Sequence, residues 1–143
     1  MNIKVAASLL VLLALLAVAR EGRAEDVVPV VSAKSTITAI TPGQLADIFL
    51  GRTTRLPDGS RAVPIDQQED SPARDQFYTR FAGKSPAQLK AHWSKVIFTG
   101  RGQPPRQVGG GAEARRAIAD NPSAIGYLEA RLVDSSVRVL ALR

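Results

Sequence analysis

Three helix starts are written into this chain in the same way: Thr41-Pro42, Ser71-Pro72 and Ser85-Pro86. A hydroxyl residue suits the N-cap, where its oxygen accepts from an early backbone N–H, and proline suits the first helical position, where no N–H is needed. Gln44 and Gln88 stand three residues after Thr41 and Ser85 and complete capping boxes. Apolar stripes at helical spacing follow: Leu45, Ile48 and Phe49; then Ala73, Phe77 and Phe81; then Leu89, Trp93, Val96 and Ile97. Gly51 and Gly83 stop the first two helices. A fourth helix is predicted from Ala112 to Asp120, closed by Asn121-Pro122.

Short β-branched runs alternate with these helices. Val27-Val28-Pro29-Val30-Val31, Ala62-Val63-Pro64-Ile65, Ala124 to Leu128 and Val137 to Ala141 read as strands. Pro29 implies that one side of its strand is unpaired, and Pro64 pushes its strand toward a sheet edge. Ser32 to Ile40, Gln67 to Asp70 and the glycine-rich, basic stretch Thr99 to Gly111 read as loops. This alternation predicts an α/β fold with a small mixed sheet flanked by helices.

Lys4, the apolar run Val5 to Ala19 and the small residues up to Ala24 have the layout of a secretory signal peptide. Arg20, Glu21 and Arg23 cut the run short of the roughly twenty apolar residues that a spanning helix needs. The expectation is a signal peptide over residues 1–24, cleaved on export to the periplasm, and one domain over residues 25–143. Cleavage removes three basic residues and one acidic residue, which takes the net charge from +6 to +4. There is no cysteine, so disulfides, thiol catalysis, cysteine-bound metals and lipid attachment through an N-terminal cysteine are all excluded. The basic residues are scattered singly and do not interleave with aromatics, so no nucleic-acid surface is expected. The balance suits a solvated basic surface, or attraction for a small anion or an acidic partner.

Catalysis, a cofactor and a metal are not expected. His92 is the sole histidine and lies mid-helix beside Trp93, where a surface or boundary role is expected. No serine sits in a nucleophile elbow, and Gly100-Arg101-Gly102 has no following Lys-Ser pair. Asp66, Glu69 and Asp70 lack calcium-loop spacing and read as a solvated loop. The start of the Ser71 helix combines a hydroxyl, free N–H groups, the positive helix end and the Arg74 guanidinium within one turn. There Arg74 could hold an oxyanion or pair with Asp70 or Asp75. Gly109-Gly110-Gly111 opens the fourth helix, whose N-terminus also favours an anion.

Three segments resemble one family. Ile40-Thr41-Pro42-Gly43-Gln44-Leu45-Ala46-Asp47-Ile48-Phe49-Leu50-Gly51 is similar to the "LT-x-x-QL-x-x-IF-x-G" segment of the phosphate-binding proteins of ABC phosphate transporters. Ser71-Pro72-Ala73-Arg74-Asp75-Gln76-Phe77 falls where that family carries Ser-Gly-Thr-Arg-x-x-Phe, and Asn121 to Tyr127 resembles its "NPGAIGY" segment. The resemblance implies one lobe of a type II periplasmic-binding-protein-like fold and capture of phosphate or a related oxyanion. Ser71 and Arg74 match the family's anion grip, whereas Pro72 removes an N–H and Ala73 a hydroxyl. The candidate anion site comprises Ser71, Arg74, Ser35, Thr36, Gly110 and Gly111.

Two functions follow as expectations. One is a solute-binding-like accessory to ABC transport or sensing; the other is a module that docks on a membrane permease or sensor without a ligand of its own. Family members close two lobes around the anion and this chain has residues for one. The missing wall would come from a second copy, as a homodimer, or from another protein.

Overall fold

The computed structural model describes residues 25–143, so the expected signal peptide lies outside the described residues. In chain order the elements are β1 (Val27–Ser32), β2 (Ala39–Ile40), α1 (Pro42–Phe49), β3 (Val63–Gln67), α2 (Pro72–Ala82) and α3 (Pro86–Phe98). There follow β4 (Arg106–Val108), α4 (Gly111–Ala119), β5 (Ala124–Glu129), a 3-10 turn (Ala130–Leu132), β6 (Val137–Val139) and β7 (Ala141–Leu142). The hydroxyl-proline starts form as the sequence predicts. Thr41, Ser71 and Ser85 each accept from the N–H three residues on, and Gln44 and Gln88 close their boxes. Gly51 and Gly83 take the left-handed conformation after their helices, with φ of 72° and 63°.

Five strands form a mixed sheet in the order β4-β3-β5-β1-β6. β3 runs parallel to β4 and β5, while β1 runs antiparallel to β5 and β6. β2 and β7 form a separate parallel pair. Alternation along β5 divides the core in two. Ile125 and Tyr127 face Leu45, Phe49, Phe77 and Leu89 of α1, α2 and α3, whereas Ala124 and Leu128 face Ala114 and Ile118 of α4. The sheet is therefore covered on both faces. At Gly126 a Cβ would collide with Ile118 and stand 3.2 Å from the Ile65 carbonyl, so glycine here lets α4 and β3 approach.

Several expectations are corrected. β3 is an interior strand, because its pairing is staggered: Val63 and Pro64 align with β5, and β4 joins from Ile65. Pro64 thus sits just before the β4 ladder begins. β1 is interior too, and the Pro29 carbonyl accepts from Leu140 on the side that β6 pairing, from Val30 onward, does not reach. Gln67 belongs to β3 rather than to a loop, and the Thr99–Gly111 loop contains β4. The last predicted strand breaks at Leu140, whose side chain is buried. Ile97 is 56 % exposed instead of joining the buried stripe of Leu89 and Trp93.

Candidate functional site

Asp66 lies near the end of β3, only 1 % exposed, rather than in a solvated loop. Burying a carboxylate demands donors, and four converge on it. Oδ1 accepts from the Gln67 N–H at 2.9 Å and from the Tyr127 hydroxyl at 2.5 Å. Oδ2 accepts from the Tyr78 hydroxyl at 2.9 Å and from Arg74 Nε at 3.3 Å. Both tyrosines of the chain are used here. Tyr78 and Arg74 reach Asp66 because they stand four residues apart on one face of α2. The Arg74 guanidinium also lies 5.2 Å from the centre of the Tyr78 ring. Arg74 therefore pairs with Asp66, not with Asp70 or Asp75.

Ser71 joins this network from the helix start. Its hydroxyl donates to Gln67 Oε1 at 3.0 Å and accepts from the Arg74 N–H at 3.4 Å, while Gln67 Nε2 donates to the Tyr127 carbonyl. Ser71 and Arg74 are thus brought together. The Ser71 oxygen is committed to protein partners. The Arg74 side chain is 9 % exposed, yet among the described residues neither terminal Nη nitrogen has a hydrogen-bond partner, and neither is sealed off. Arg74 borders a cleft of about 580 Å³ between the α2 start and α3. Glu69, Asp70 and Asp75 line one side of it, and Leu89, Lys90 and Trp93 line the other. Trp93 also brings a buried indole N–H that has no partner among the described residues.

Burial tends to lower the Arg74 pKa, but the charge and hydrogen bond of Asp66, together with Tyr78 and Tyr127, outweigh this and hold the guanidinium more firmly protonated than usual. Burial, reinforced by Asp66, pushes the Tyr78 and Tyr127 hydroxyls well above the ordinary phenol range. A folded-state pKa raised above the unfolded one gives stability that is complete below the unfolded value and lost above it. Stability is therefore expected to fall above about pH 10, by about 1.4 kcal/mol per pH unit for each tyrosine. Urea unfolding from about pH 9 to about pH 11 checks this, and Tyr78→Phe should roughly halve the slope.

Gly110 and Gly111 lie at the same end of the sheet as Ser71, because β3 and β4 are parallel and the Gln68 N–H donates to the Val108 carbonyl. The α4 start already faces carboxylates of the chain itself. Glu113 Oε2 accepts from the Gly109 N–H at 2.7 Å, and a Cβ at Gly111 would collide with Glu129. Gly110 is extended, with φ of 162°.

Ser35 and Thr36 are not brought to this edge. They follow β1, which runs antiparallel to β5 and so ends where β3 begins. The Ser35 hydroxyl accepts from the Ile37 N–H, and Arg138 holds the loop through the Ala33, Ser35 and Ile37 carbonyls. Thr36 is exposed. His92 is half-buried on α3, with Nε2 2.8 Å from the Leu50 carbonyl.

Asp66, Gln67, Tyr78, Tyr127 and Trp93 complete the site, and none of them was among the candidate anion-site residues read from the sequence. The one signal for them is Asp66-Gln67 directly continuing the Val63-Pro64-Ile65 run.

No family model matches the chain, and no curated protein does. Solved structures do match. A protein assigned as a phosphate ABC transporter substrate-binding protein from Clostridium perfringens, solved with bound phosphate, is 19 % identical with a TM-score of 0.64 over 81 % of this chain and 44 % of that one. An ABC-type phosphate transport receptor from Vibrio cholerae is 18 % identical, with a TM-score of 0.63 over 81 % of this chain and 45 % of that one. PstS from Borrelia burgdorferi is 15 % identical, with a TM-score of 0.63 over 83 % of this chain and 47 % of that one. The chain spans a little under half the length of each. Its fold is that of one lobe of a type II periplasmic binding protein, as the phosphate-transport substrate-binding proteins have it.

Proposed function

We propose that this chain is an exported, non-enzymatic solute-binding-like protein of the periplasm. On this reading residues 1–24 are its signal peptide and residues 25–143 its single domain, and it captures an oxyanion such as phosphate as an accessory to ABC transport or sensing. The observation that carries the reading is Arg74. It is buried and clamped through Nε by Asp66, and its two Nη groups are left for a ligand in the cleft. A preorganised guanidinium fork suits a tetrahedral or carboxylate oxyanion. The likeness to a protein solved with bound phosphate supports the same chemistry.

Affinity is expected to be low. Pro72 and Ala73 remove two anion-binding groups relative to the family pattern, the Ser71 hydroxyl is occupied, and Glu69, Asp70 and Asp75 repel a bare anion. One lobe also leaves the anion partly in water, where screening is strong. Calorimetric titration with phosphate, sulfate and small carboxylates tests the proposal. Saturable binding in the millimolar range is expected, weakened more than about tenfold by Arg74→Gln, since a hydrogen bond to a charged group contributes about 1.5–3 kcal/mol. Silence across that range, or an Arg74→Gln protein that is folded by circular dichroism and binds like the parent, would overturn it.

The second reading is a docking module for a membrane permease or sensor. It draws on Pro72, an exposed apolar residue at the helix start, and on the apolar surface that Leu89 and Trp93 give the cleft. A defined membrane partner retained from envelope extract without added anion would favour it.

A further inference from the structure

The C-terminal end of α3 is unusual. Phe98 is 91 % exposed and Ile97 56 % exposed, on the last turn of α3. The end is not frayed. The Thr99 N–H bonds to the Lys95 carbonyl, the Gly100 N–H to the Ile97 carbonyl and the Arg101 N–H to the Val96 carbonyl, and Gly100 takes a φ of 67°. This is the Schellman arrangement, which fixes both the last turn and Arg101. Phe98 is thus presented on a rigid protrusion, and nothing among the described residues covers it.

Beside this tip lies a cleft of about 560 Å³. Arg52, His92, Lys95, Thr99 and Arg101 contribute to its lining, and no carboxylate does. Arg52 does pair with Asp47 at 3.4 Å, with both side chains about half exposed; such a pair is weak and exchangeable. Basic residues near helix C-termini complement the helix dipole, which accounts for the charges taken alone. It does not account for a bare phenylalanine and isoleucine next to them.

We propose that this tip is a docking site for an anionic phospholipid surface. The lipid phosphodiester would sit in the basic cleft, and Phe98 and Ile97 would enter the boundary between headgroups and acyl chains. Cationic residues around exposed large apolar side chains are the chemistry of interfacial membrane binding. The shape selects the bilayer over a protein partner. A side chain that stands this far out needs a ready-made pocket in a protein, whereas a fluid bilayer admits it without one. Ile97 also borders the Arg74 cleft, so docking would hold that cleft at the membrane surface.

Vesicle co-sedimentation of the exported protein tests this. Phosphatidylglycerol vesicles should retain it about tenfold better than phosphatidylcholine vesicles, since a few basic residues contribute about this much at an anionic surface. Phe98→Ser, which removes a side chain outside the core, should keep the melting temperature and weaken retention about tenfold. Lys95→Ser with Arg101→Ser should abolish the preference for phosphatidylglycerol. Added inorganic phosphate should not release the bound protein, which separates a lipid surface from a free-anion site. Equal retention on both vesicles, unchanged retention of Phe98→Ser, binding to an acidic polypeptide but not to vesicles, or lipid-free self-association lost in Phe98→Ser would each overturn the proposal.

Discussion

Asp66→Ala is expected to destabilise the protein by about 3–5 kcal/mol, because it strands a buried cation. Asp66 is 1 % exposed, the Arg74 side chain 9 % exposed, and the two are joined at 3.3 Å. Without the carboxylate, the Tyr78 and Tyr127 hydroxyls and the Gln67 N–H lose an acceptor as well. A buried pair gains little over a well-packed apolar replacement, but breaking it from one side carries the full penalty. The double variant Asp66→Ala with Arg74→Met should therefore recover much of what Asp66→Ala loses. Urea unfolding of the two single variants and the double variant closes this cycle. A loss below about 1 kcal/mol for Asp66→Ala would show that water reaches Arg74 and that the clamp is not buried.

Phe77→Ala should cost a similar amount, about 3–5 kcal/mol. Phe77 is 1 % exposed and joins α2 to the sheet and to α1. Its ring stacks on Tyr127 at 4.1 Å and 8°, and meets Phe49 at 4.8 Å and Tyr78 at 5.3 Å. How much such a deletion costs depends on how well the surroundings can collapse into the gap. Here collapse is opposed, since both tyrosines are tethered to Asp66 by their hydroxyls. The loss is accordingly expected near the upper end, with Phe77→Leu well below it. Because Phe77 and Arg74 share α2, Phe77→Ala should also weaken anion binding, although its side chain does not line the cleft.

These two residues show how far the sequence could be read. Phe77 was legible, because a stripe at a spacing of four marks a buried helix face regardless of what lies opposite. The three hydroxyl-proline starts were legible for the same reason: a cap is a local device whose partners are three residues away. Asp66 was not. A carboxylate next to Glu69 and Asp70 reads as solvated unless its donors are known, and one of them, Tyr127, stands 61 residues on. β4 was hidden because Arg106 and Gln107 are exposed and only Val108 is buried, which leaves no alternating pattern to detect. Ile97 follows the buried spacing but lies on the last turn of α3, where nothing among the described residues covers it.

The candidate site divides along the same line. Ser71 and Arg74 share a helix turn, so local sequence places them together. Gly110 and Gly111 reach the same edge only because β3 and β4 are parallel neighbours. Ser35 and Thr36 go to the opposite end because β1 runs against β5, a direction set by long-range pairing that no short segment records.

On the proposed reading, Asp66 holds Arg74 by Nε while the Nη groups remain free for an oxyanion. Nuclear magnetic resonance of the arginine side-chain nitrogens during a phosphate titration tests it directly. The Arg74 Nη signals should shift progressively and saturate in the millimolar range, while Nε–H moves little because Asp66 keeps it. Arg74 signals that stay fixed throughout, while exposed arginines such as Arg101 or Arg106 shift with the added phosphate, would contradict the account.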